Sequence, residues 1–145
     1  MVSNYEIVRE KDMELIKRRN CEYNIIYQIA WCTKDRQPIF ADFQAKMQMT
    51  TILKNKIEEN GMEMLRISVG DDYAYVCVAA DPKTVPVDMV KGLKGGSARR
   101  MQMLHPETCA LFKDRHIWDD RYMIVAGDQD IVSDVAAYVN RQKKG

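Results

Sequence analysis

The sequence predicts an α+β fold, a ferredoxin-like or RRM-like four-stranded antiparallel sheet with helices packed on it and a C-terminal helix carrying Tyr138. Two observations carry that prediction. Some segments alternate apolar and polar residues and are rich in β-branched and aromatic types, whereas others repeat apolar residues near the helical period. Their order, βαββαβα without internal repeats, packs as one sheet backed by helices. With 145 residues, 46% of them hydrophobic, the chain suits one globular domain around a single core. Residues 1–22 read as an N-terminal extension and residues 128–145 as a terminal helix and tail.

In chain order, residues 23–32 (YNIIYQIAWC) form the first expected strand, and the segment TKDRQPIF that follows breaks it. Residues 41–59 place Phe43, Met47, Ile52 and Ile57 near helical spacing, and Asn60–Gly61 supplies a C-terminal stop. Residues 62–69 and 73–80 are two strands joined by Gly70, Asp71 and Asp72, short enough for an antiparallel hairpin. Pro82 and Pro86 bracket the next connection. A second helix runs from Val87 to Leu104 with Met89, Val90, Leu93 and Leu104 roughly on one side, although Gly92, Gly95 and Gly96 each cost it about 1 kcal/mol. Residues 121–127 (RYMIVAG) are the fourth strand, and residues 131–142 the last helix.

Charge excludes one class of function. Lys and Arg number 22 against 21 Asp and Glu, so the molecule is not a polycation that coats nucleic acid or anionic lipid, and any basic site is local. The N-terminus lacks an apolar secretory core and no segment is apolar enough to span a membrane, which predicts a cytoplasmic protein with no membrane partner. Cys21, Cys32, Cys77 and Cys109 lack ligand spacing and read as reduced thiols.

Two constellations carry chemistry. Lys34 and Arg36 follow the first strand, and Lys83, Lys91, Lys94, Arg99 and Arg100 run from a loop into the second helix. Such a run is ordinarily a solvated face, but in KGLKGGSARR the small residues among cations would let a phosphate backbone approach closely. In the last helix Tyr138 and Gln142 are four residues apart and share a face. A helical tyrosine is ordinarily a packing residue, yet this one adjoins the stripe of Ile131, Val135 and Val139 and lies in the basic segment YVNRQKK.

Four segments in order, WCTKDRQPIF, DPKTVPVDMVKGLKGGSARRM, HIWDDRYMIVAGD and VAAYVNRQ, together resemble a single-tyrosine transposase of the His-hydrophobic-His nuclease superfamily, whose members move small insertion sequences as single-stranded DNA. The resemblance runs from about Tyr23 to Gln142. It implies a homodimer that binds hairpin DNA and cuts one strand by attack of a tyrosine, with Mg²⁺ or Mn²⁺ as the cation. Carried over, Tyr138 matches the nucleophile and Gln142 a metal ligand, while Lys34, Arg36, Lys83, Lys91, Lys94, Arg99 and Arg100 lie on DNA-contacting segments. The two metal-binding histidines of the family fall on Tyr73 and Tyr75. The chain's only histidines, His105 and His116, lie elsewhere, outside any His-x-His pattern.

That departure decides what is expected. Neutral imidazole binds a divalent cation near pH 7, whereas a phenol with a pKa near 10 must first lose its proton. No bound cofactor is therefore expected, and the chain reads as a transposase-like protein that binds single-stranded or hairpin DNA without cleaving it. Two alternatives stay open: an active transposase with an atypical metal site that includes Asp71, and a regulatory subunit that pairs with an active relative. Tyr73 and Tyr75 themselves read either as packing residues filling the lost site or as a platform for splayed bases.

Overall fold

The computed structural model describes residues 4–8, 15–110 and 116–142. In chain order the elements are β1 (Tyr5–Val8), β2 (Ile16–Lys17), β3 (Glu22–Tyr23), β4 (Ile25–Cys32), α1 (Phe43–Glu59), β5 (Glu63–Val69), β6 (Tyr73–Ala80), α2 (Pro86–Leu104), the short α3 (Pro106–Cys109), β7 (Met123–Ala126) and α4 (Val132–Arg141). The main sheet has the order β1-β5-β6-β4-β7, with every neighbouring pair antiparallel. β6 lies between β4 and β5, so the β4-α1-β5 unit is split by it, the ferredoxin-like arrangement. The α+β fold class is as expected, and the sheet gains a fifth strand. Part of the N-terminal extension supplies it: Tyr5 to Val8 pair with Val69 to Arg66 and cover the edge of β5 that would otherwise stand open. A two-residue ribbon, β2 with β3, forms a separate small sheet.

Alternation along the central strands gives the sheet two unlike faces. On one, Ile29, Trp31, Val76, Val78, Ile67 and Val69 pack against Met49, Leu53 and Ile57 of α1 and Val90, Leu93 and Met101 of α2. On the other, Ala30, Cys32, Tyr73, Tyr75, Met123 and Val125 meet Ile131, just before α4, and Val135, Tyr138 and Val139 of α4. A bulge in β5 between Met64 and Arg66 shifts the register and turns Leu65 onto this second face, beside Cys77 and Ala79.

Local chemistry sets the ends of α1. The Asp42 carboxylate accepts from the Gln44 and Ala45 amides at 2.6 and 3.4 Å, which caps the helix one residue inside the expected start. At the other end Gly61 takes φ +78°, its amide bonds to Glu58 O and the Met62 amide to Ile57 O, a Schellman stop at the expected Asn60–Gly61 pair. Lys46, fully buried, donates to Phe40 O, Ala41 O and Asp71 Oδ1 at 2.5, 3.2 and 2.6 Å and so ties α1 to the β5–β6 turn. On the same side of the sheet Trp118 packs edge-on against Trp31 and donates its indole N–H to Ser97 Oγ on α2. No described helix is long and apolar enough to cross a membrane.

Candidate functional site

Tyr73 and Tyr75 alternate onto the α4 face of β6 and form one wall of a cavity of about 440 Å³, closed on the other side by Val132, Val135, Ala136 and Val139 of α4. The Tyr73 ring lies directly over Gly70, where any Cβ would overlap it. Its hydroxyl accepts a hydrogen bond from Asn4 Nδ2 at 2.5 Å. The Tyr75 hydroxyl donates to Gln28 Oε1, and fully buried Gln28 is itself fixed by donating to Gly127 O at 2.9 Å and Gln129 O at 2.8 Å. Burial pushes the Tyr75 phenol well above its ordinary pKa. Both hydroxyls are thus engaged with amide side chains.

Tyr138 and Gln142 sit on the same face of the sheet but not around this cavity. Tyr138 packs beside Ala30 and Cys32 at 7% exposure. Its phenol is pushed up to about 12, first by burial and then by the neighbouring Cys32 and Asp119. Gln142 Nε2 donates to Tyr138 O at 3.1 Å. Among the described residues, the Tyr138 hydroxyl and Gln142 Oε1 are buried without a hydrogen-bond partner.

The residues that would hold a divalent cation do not fit one. A phenol kept protonated by burial and a phenol hydroxyl already accepting from an amide are poor ligands, and the Gln142 carbonyl lies off the cavity. Among the described residues, no three His, Cys, Asp or Glu side chains cluster to hold a metal. The carboxylate alternative needs correcting, because strict alternation through the β5–β6 turn would put Asp71 on the Tyr73 side. The turn interrupts that alternation: Asp71 pairs with Lys46 of α1, on the opposite side of the sheet, and Asp72 instead borders the cavity. Asp72 is in turn held by Arg36 at 3.0 Å.

The cations expected to meet DNA divide into two kinds. Lys83, Lys91 and Arg99 are exposed. Arg36 is tied to Asp72 and turned inward by a left-handed backbone at Asp35 (φ 55°) and Arg36 (φ 52°), conformations that L-residues adopt at a cost of roughly 1 kcal/mol. Lys94 donates to Asp119 O at 2.5 Å and Arg121 O at 3.2 Å, and burial lowers its pKa. Arg100 forms a two-pronged pair with Glu59, and Lys34 is half-buried just after β4. Gly92 and Gly95 face open space, so α2 presents a bare strip beside Lys91 and Arg99, whereas Gly96 accommodates the Lys56 side chain of α1. Because α2 lies on the face opposite α4, the exposed cations of α2 and the tyrosine cavity are separated by the sheet.

Sequence reasoning missed Asn4, Gln28, Lys46 and Arg66. Two of them left a signal: Gln28 is the polar residue within IIYQIAWC, and Arg66 the one cation within MEMLRISV.

A ferredoxin-like sheet with two helices on one face and a tyrosine-bearing helix on the other is the architecture of a tyrosine transposase. Residues 21–142 match the family described as Transposase IS200 like, and the chain belongs to that family. It is 28% identical over 130 residues to ISDra2 transposase TnpA of Deinococcus radiodurans, covering 90% of this chain and 92% of the relative. A crystal structure of a protein from Deinococcus radiodurans R1, proposed to be a transposase, superposes with a TM-score of 0.81 at 28% identity, over 90% of this chain and 99% of that one. A REP-associated tyrosine transposase bound to a REP hairpin shares the fold at a TM-score of 0.52 and 10% identity, over 86% of this chain and 68% of that one.

Proposed function

We propose that the protein binds single-stranded or hairpin DNA and does not cleave it. The observation that carries the second half is the commitment of Tyr73 and Tyr75, at the positions of the family's metal-binding histidines, to Asn4 and Gln28. Cleavage by Tyr138 would require its phenol to lose a proton and to reach a phosphate held by a cation. Here burial favours the protonated form, and the cation's ligands are replaced. Support for the first half comes from membership of a transposase family and from the exposed Lys83, Lys91 and Arg99 beside the glycine strip of α2. The hairpin held by the REP-associated transposase is a precedent for such a ligand on this fold. The assembly belonging to this reading is a homodimer.

A specific observation also favours a second reading. An ordered fold with filled metal-ligand positions is what a regulatory subunit needs if it pairs with an active relative and withholds one site. The deciding experiment incubates the protein with single-stranded hairpin DNA and Mg²⁺ or Mn²⁺ and looks for a covalent protein–DNA adduct. Salt-sensitive binding without adduct is expected. An adduct lost in Tyr138→Phe would overturn the inactive reading, and absence of any DNA binding would overturn the binding half.

A further inference from the structure

We propose that the cavity between β6 and α4 is a metal-independent pocket for one unstacked nucleotide, its phosphate anchored by Arg66. This inference rests on the DNA-binding reading above and names what the former metal region would hold. The cavity, at 440 Å³, lies within the range of roughly 300–1,000 Å³ typical of small-molecule sites. Its walls suit a flat ring. Tyr73 and Tyr75 stand on one side with their hydroxyls fixed, so the rings are held in place, and the aliphatic row Val132, Val135, Ala136 and Val139 faces them. Flipped bases are held in this way, between aromatic and apolar side chains, with polar groups reading the edge. Asn140, exposed on α4 at the margin of the cavity, supplies an amide of that kind.

The charge distribution indicates where the phosphate goes. Arg36 borders the cavity but is neutralised by Asp72 at 3.0 Å. Arg66 also borders it, half-buried on β5, and its contacts among the described residues are long ones: Nη2 to Gln28 Oε1 at 3.5 Å and to Cys77 Sγ at 3.7 Å. No described carboxylate forms a salt bridge with it. A guanidinium in an aromatic and aliphatic slot, with only Nη2 in contact with a hydrogen-bonding partner among the described residues, is a site for a phosphate oxygen. Glu6, Asp72 and Asp130 also border the cavity, but Asp72 is paired with Arg36, Asp130 caps α4 by accepting from the Val132 amide at 2.9 Å, and Glu6 stands opposite Ser68, from whose hydroxyl it accepts at 3.4 Å.

The test measures binding of hairpin DNA with a single-stranded flank, in EDTA, by fluorescence anisotropy. Variants are Arg66→Gln, which removes the anchor, and Ala136→Trp, which fills the slot from the exposed side of α4 and leaves residue 66 as arginine. A DNA series replaces each flank base in turn by an abasic residue. One abasic position is expected to weaken binding by about 5- to 150-fold, the range for losing one stacked base. Arg66→Gln and Ala136→Trp should each abolish that position's contribution, so that the abasic penalty disappears in both backgrounds, with unchanged thermal melting for Arg66→Gln. The proposal is overturned if no flank position matters, if the penalty persists in both variants, or if the effect requires Mg²⁺. Should the hairpin still bind in a manner dependent on Lys91 and Arg99 while these arms fail, the pocket is wrong and the DNA-binding reading stands. Loss of all binding by the unaltered protein would remove both.

Discussion

Changing Tyr75 to Phe and Tyr73 to Phe removes the same atom from neighbouring positions of one strand, and the structure predicts unequal costs. The Tyr75 hydroxyl donates to Gln28 Oε1, inside a side chain with no solvent exposure. Without it that oxygen keeps only the 3.5 Å contact from Arg66. Leaving a buried acceptor short of its donor costs about 1–3 kcal/mol, and some tightening of the Arg66 contact would offset part of this, so Tyr75→Phe should destabilise by about 1–2 kcal/mol. The Tyr73 hydroxyl instead bonds the exposed Asn4, which water can serve equally well, and Tyr73→Phe should stay within about 0.5 kcal/mol. Urea denaturation at neutral pH measures both, and in thermal scans each kcal/mol should move the midpoint by roughly 3–4 °C for a chain of this size. A Tyr73→Phe penalty equal to or above that of Tyr75→Phe would show that the Gln28 clamp does not fix this wall of the cavity.

The Tyr138 hydroxyl is buried without a described partner, so Tyr138→Phe should be neutral or stabilising by up to about 1 kcal/mol. Its raised folded-state pKa means that its contribution is complete below about pH 10, where the unfolded phenol is protonated, and fades as pH rises towards about 12; Tyr138→Phe should flatten that alkaline loss in pH-dependent unfolding. For DNA binding, Lys91→Ala with Arg99→Ala should shallow the log–log salt dependence by roughly 0.7 for each phosphate no longer neutralised, while Arg100→Ala, whose guanidinium is already paired with Glu59, should change the slope much less; parity between them would refute the assignment of the α2 face. Tyr73→His with Tyr75→His should let Mn²⁺ raise the melting temperature by mass action yet produce no DNA nicking, because Tyr138 and Gln142 do not border the cavity; nicking in this variant would show that α4 docks otherwise.

Much of the architecture was legible because local signals agreed with the tertiary fold. Alternation in YNIIYQIAWC and YAYVCVAA, the Asn60–Gly61 stop and the short β5–β6 turn each fixed an element whose packing then confirmed it. β1 escaped notice because four residues between Asn4 and Arg9 carry too little periodicity, and its strand character comes from the open edge of β5. At the candidate site, spacing correctly put Tyr73 with Tyr75 and Tyr138 with Gln142. It could not reveal that α4 turns Val135 and Val139 towards the cavity and buries the Tyr138 hydroxyl beside Cys32. Nor could it separate committed from exposed cations, since Lys94 and Arg100 look like Lys91 and Arg99 until the Asp119 carbonyl and the Glu59 carboxylate are in place.

The two halves of the tyrosine face differ in how completely their polar groups are satisfied. On the strand side Tyr73, Tyr75, Gln28, Arg36 and Asp72 form hydrogen bonds or ion pairs that need no metal. On the helix side the Tyr138 hydroxyl and Gln142 Oε1 stay buried and unpaired among the described residues, which is unfavourable for both. α4 is therefore held to the sheet chiefly by Ile131, Val135 and Val139, against an electrostatic cost concentrated at Tyr138 and Gln142. Tyr73 and Tyr75 yield a wall whose hydroxyls are partnered as built, whereas α4 keeps two polar groups without partners among the described residues. That asymmetry supports the proposal that the strand tyrosines belong to a binding surface and that Tyr138 does not cleave DNA.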